Sequence, residues 1–117
     1  MNLIDCFIDE HNNVWRARSL IEASEYLPII KFDVEGIDFD ITMRWKLVNV
    51  RDYINHFGRV LNADIRKPLI LRADGFCMNG WHRIMNAIYN NIEYLPAKKF
   101  VNNPDPDFKL EYKKEEC

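Results

Sequence analysis

The stretch from Lys67 to Val101, KPLILRADGFCMNGWHRIMNAIYNNIEYLPAKKFV, constrains this chain more than any other. Leu69, Ile70 and Leu71 are three consecutive large aliphatics within Pro68–Arg72, which suits a buried strand. Ala73-Asp74-Gly75 reads as a tight turn, because Asp and Gly tolerate the positive φ of a hairpin loop. Phe76–Asn79 is then the return strand. Trp81, Ile84, Met85 and Ile88 follow at i, i+3, i+4 and i+7, one apolar helical face, and predict a helix over about 81–90. Asn90-Asn91 ends it, since Asn accepts the left-handed conformation of a helix cap. Ile92–Val101 returns as an extended segment.

The start of that helix is where chemistry is expected. A helix N-terminus presents backbone N–H groups and partial positive charge, a natural anion site. Asn79 is placed to cap it, and Gly80 lets a ligand approach the backbone closely. His82 and Arg83 fall in the first turn, where a cation opposes the helix dipole by ~0.3–1 kcal/mol. A sequence chosen for stability alone would place Asp or Glu there. The expected explanation is an anion, phosphate first, in front of these residues.

Pro68-Leu69-Ile70-Leu71, Asp74-Gly75 and Asn79-Gly80-Trp81-His82-Arg83, taken together, resemble the ParB N-terminal/sulfiredoxin-like superfamily. That resemblance implies a strand–turn–strand followed by a Gly-x-His-Arg box at a helix start. The box would bind the phosphates of ATP or CTP, with Mg²⁺, or serve phosphoryl or phosphodiester chemistry. Small stand-alone bacterial ParB-like proteins are the closer likeness, through His56, Ala63-Asp64 and Pro104-Asp105-Pro106-Asp107, and the resemblance spans about 13–108. Two activities of the superfamily do not carry over. Sulfiredoxin chemistry needs a Cys directly before the His-Arg pair, where Trp81 stands; Cys77 lies four residues earlier, as a strand residue expected in the core. Centromere binding needs a helix-turn-helix domain and a dimerisation domain, and 117 residues hold neither beside this one.

Elsewhere, Val14, Ala17, Leu20, Ile21 and Ser24 suggest a helix over about 14–25, ended at Leu27-Pro28. Residues 1–12 read either as a short added element or as a loose arm. Residues 29–34 alternate like a half-buried strand. Residues 37–45 read as strand or extended loop, with Arg44 and Trp45 as either pocket lining or loop packing. Val50, Tyr53, Ile54, Phe57, Val60 and Leu61 make an apolar stripe on a helix over about 50–63, with Asn49 and Asp52 spaced as a capping box. His56 borders that stripe. Residues 102–107 are a loop, and 108–117 a charged, fraying tail.

The expected architecture is therefore a single α+β domain. A small mixed β-sheet, from about 29–34, 68–72, 76–79 and 97–101, packs with about three helices. The net charge of −2 and a pI near 5.9 offer no basic footprint for duplex DNA, so tight duplex binding is not expected. Three widely spaced cysteines form no zinc pattern. No apolar run approaches the ~20 residues of a membrane span, no signal peptide is legible at the start, and a cytoplasmic address follows.

The candidate site is thus Asn79, Gly80, Trp81, His82 and Arg83, with His56 added by the resemblance. Three function classes stay open. One is a regulatory module binding a nucleotide or another phosphate-bearing ligand. One is a phosphoryl-transfer enzyme with His82 as acid or base and Arg83 as charge clamp. One is a protein-interaction factor, with a protein partner or a second copy. An enzyme needs a further base or a metal-binding carboxylate, and Glu22, Asp33, Glu35, Asp38, Asp40 and Asp64 are not ranked by sequence. That favours binding over catalysis.

Overall fold

A computed structural model describes residues 6–41, 43 and 47–111. Arg44 and Trp45 lie outside the described residues, as do 112–117 of the tail. The elements run β1 (Cys6–Ile8), β2 (Asn13–Arg16), α1 (Ala17–Ala23), β3 (Ile30–Asp33), a 3₁₀ turn at Val34–Gly36, α2 (Val50–Leu61), β4 (Leu69–Leu71), β5 (Cys77–Asn79), α3 (Trp81–Tyr89), β6 (Tyr94–Lys99) and β7 (Phe108–Lys109). The fold is α+β, as expected.

The larger sheet has the order β3-β6-β4-β5. β6 runs antiparallel to β3 and parallel to β4, and β5 returns antiparallel on β4, so the sheet is mixed. β4 explains why three aliphatics stand together. Leu69 and Leu71 face a cluster with Ile84 and Ala87 of α3, Cys77, Leu95 and Ala97. Ile70 faces the other way, against Met78, Phe7, Trp15, Leu20 and Phe100. Alternate side chains of a strand point to opposite faces. All three are buried only because both faces are covered, by α3 on one side and by α1 with the β1–β2 hairpin on the other.

Three expectations are corrected. The helix over 14–25 is shorter: Asn13–Arg16 is a strand, and the helix begins at Ala17. Val14 and Trp15 are adjacent, buried and of strand-favouring types, and they pair with β1. The 1–12 segment, open between element and arm, supplies β1. Part of the tail is ordered as well. Phe108–Lys109 pairs antiparallel with Asn13–Val14 and completes a second sheet, β1-β2-β7.

The third correction concerns α2. Asn49 and Asp52 form the expected capping box. The apolar stripe, however, is not core. None of the α2 side chains is fully buried, and Val50, Tyr53, Ile54, Phe57 and Leu61 are exposed. Among the described residues no helix is long and apolar enough to cross a membrane.

Candidate functional site

β5 and α3 place the Gly-x-His-Arg box. β5 ends at Asn79, the chain turns at Gly80 with φ 123°, and α3 starts at Trp81. Only a residue without a β-carbon sits comfortably there. A β-carbon on Gly80 would also collide with the Leu69 side chain and lie 3.4 Å from the Arg83 Cζ. Close packing onto β4 therefore demands this glycine.

The cap differs from the expected one. Gly80, not Asn79, is the N-cap residue, and it has no side chain to cap with. The first helical bond runs from the Ile84 N–H to the Gly80 carbonyl at 3.0 Å. The N–H groups of the preceding turn lie outside the helical ladder, as at any helix start.

Arg83 does not reach forward over that turn. It folds back into the molecule. One terminal nitrogen donates to the carbonyls of Lys67, at 3.0 Å, and Pro68; the other donates to the Asn79 side-chain oxygen at 2.7 Å. Burial lowers its pKa from the usual arginine value. Trp81 is committed too. Its indole N–H donates to the Cys77 carbonyl at 3.0 Å, and its ring meets Phe76 edge-on. Cys77 lies in the core as expected, and burial pushes its thiol up to about 12, leaving it protonated and unreactive.

His82 and His56 are brought together. The His82 Nε2 lies 3.2 Å from the His56 Nδ1, and the ring centroids are 5.0 Å apart. Twenty-six residues separate them in the chain. Burial holds the His56 pKa below the usual histidine range, and the nearby Arg59 charge pushes the same way. An imidazole pair at this distance shares one proton between the facing nitrogens.

Two features of the site were not anticipated. Asn86, one turn after His82 on the same face, is buried and donates to the carbonyl of Val60 at 3.0 Å, docking the end of α2 on α3. A lone Asn inside an apolar helical run was the available signal. The carbonyls of Lys67 and Pro68, which hold Arg83, carry no signal at all, because a backbone acceptor looks alike in every residue.

No family model, curated protein or solved structure matches this chain. The site must be read from its own geometry. Asn79, Gly80, Trp81 and Arg83 are tied into the fold, and the two half-buried histidines meet each other at the start of α3. Of the carboxylates, Asp64 is engaged by Arg66 at 3.0 Å, and Asp33 and Asp38 accept from the backbone of Glu35 and Asp40. Among the described residues no three His, Cys, Asp or Glu side chains converge on a metal-sized site.

Proposed function

We propose that the chain is a binding module for a phosphate-bearing ligand, a nucleotide such as ATP or CTP, received over the first turn of α3. The juxtaposition of His82 and His56 carries this reading. Two imidazoles from separate helices, 3.2 Å apart beside a helix N-terminus, leave the neutral pair one outward N–H, a donor for an anion that the helix dipole also attracts. The first-turn backbone would cradle the phosphate, and the outward N–H of the histidine pair would donate to it. Arg83 would act through its charge from beneath Gly80 and not through direct contact. Mg²⁺ would arrive on the phosphates. A regulatory role suits such a module, because a ligand touching both α2 and α3 would fix their relative position. The same pair would serve a transfer enzyme with His82 as acid or base, although Asp33, Asp38 and Asp64 are already engaged by the Glu35 and Asp40 backbone and by Arg66. Tight duplex DNA binding is not part of the proposal.

A thermal-shift and calorimetric panel of ATP, CTP, GTP and pyrophosphate, with and without Mg²⁺, tests it. At least one should stabilise the wild-type chain. Removing both imidazoles, His56→Ala with His82→Ala, should weaken that ligand on the order of ten- to a hundredfold, the equivalent of a hydrogen bond to charge. No response from the wild type, or equal binding by the double variant, would refute the proposal.

A further inference from the structure

The helix with the most regular apolar stripe in the chain keeps that stripe in solvent. Val50, Ile54, Phe57 and Leu61 recur at i, i+4, i+7 and i+11 on α2, and they are 74%, 61%, 57% and 61% exposed. Tyr53 borders them at 45%. Single exposed apolar side chains are ordinary, but an aligned set on one helix face marks an interaction surface. A helix of this length gains little stability alone and depends on packing its apolar face.

α2 cannot roll over to bury the stripe. Its other flank is already fastened, by His56 against His82 and by Asn86 against the Val60 carbonyl.

We propose that a second copy of this chain covers the stripe, α2 pairing antiparallel with α2 about a twofold axis at the helix midpoint. The spacing is self-complementary. Val50 and Leu61 lie equally far from the midpoint, as do Ile54 and Phe57, so each apolar residue meets an apolar residue of the other copy. Asp52 and Arg59 lie on the side of α2 away from the stripe and take no part in the seam. The helix dipoles oppose one another. The five residues expose roughly 600 Å² per copy, so complete mutual burial removes at most about 1,200 Å² in all, the size of a weak, reversible interface. The inference is independent of the ligand at α3.

Sedimentation equilibrium of the full chain, from low micromolar to near-millimolar concentration, should show a monomer–dimer equilibrium. Phe57→Glu should raise the dissociation constant at least tenfold while leaving the circular dichroism unchanged, since Phe57 is exposed; Ile54→Lys repeats the test at a second position. Val50→Cys mixed with Leu61→Cys should yield a disulfide-linked heterodimer, and Val50→Cys alone should give no more crosslink than the wild-type chain. A chain that stays monomeric throughout overturns the proposal. So does a dimer indifferent to both charged substitutions, as for a face that takes a different protein, and so does self-crosslinking of Val50→Cys, the mark of parallel pairing.

Discussion

Arg83 shows how one side chain can satisfy two incompatible expectations. At the start of a helix its charge opposes the dipole, and the sequence explains that only by an external anion. Its length provides another outlet. The guanidinium turns under Gly80 and donates to the Lys67 and Pro68 carbonyls at the entry to β4 and to Asn79 at the end of β5. Hydrogen bonds made by a charged donor contribute about 1.5–3 kcal/mol. Arg83→Ala should therefore destabilise the fold by roughly that amount in urea unfolding. Arg83→Lys should recover only part, because an ammonium lacks the planar fork. An Arg83→Ala chain as stable as the wild type would mean that these carbonyls are equally well served by water. The residue type at this position was legible, and its two carbonyl partners were not, because they are backbone atoms fifteen and sixteen residues upstream.

At the scale of elements, α1 is a helix capped from a distance. Its N-cap residue Arg16 makes no side-chain cap bond. Asp107 supplies the acceptors, taking the Arg16 N–H at 2.6 Å and the Ser19 hydroxyl at 2.8 Å. Asp107→Ala should cost on the order of 1 kcal/mol, the ordinary worth of a helix cap, and should loosen β7 as well. Hydrogen exchange at Asn13–Arg16 reads both effects; unaltered protection there would assign Asp107 no capping role. This cap also explains what sequence reasoning could and could not see. α2, α3, β4 and β5 were legible because local signals specify them: a capping box, a 3.6-residue period, an aliphatic run before Asp-Gly. β1, β2 and β7 were not, because each is a short strand made by its partners. Val14 fits a helical face as well as a strand, and only Phe7, Trp15 and Phe108 in place decide between them. In the site, resemblance alone joined His56 to the box; its meeting with His82 was not legible, since no periodicity relates two helices.

For the molecule as a whole, stability should fall on acidification in two separate stages. His56 is held below its usual value by burial, then by Arg59, with His82 facing it. As pH falls through about 6.5 the unfolded chain takes up this proton before the folded one, so stability declines there and is present above that pH. Asp64, beside Arg66, and Asp74, beside Arg72, are held down to about 2. Their contribution is present above the ordinary carboxylate value of 3.8 and is lost only between there and about 2. Melting temperatures across this range should show both declines, and His56→Gln should remove the first and keep the second. A single decline below pH 4, with nothing near neutrality, would show that His56 titrates alike in both states. The second sheet has a consequence for the newborn chain. β2 lies between β1 and β7, yet the Arg16–Asp107 contact beside it closes across 91 residues. While the ribosome is still adding the segments between, the β1–β2 hairpin waits with one edge unsatisfied and Val14 and Trp15 beside it. An open strand edge of that kind invites pairing between chains until β7 covers it.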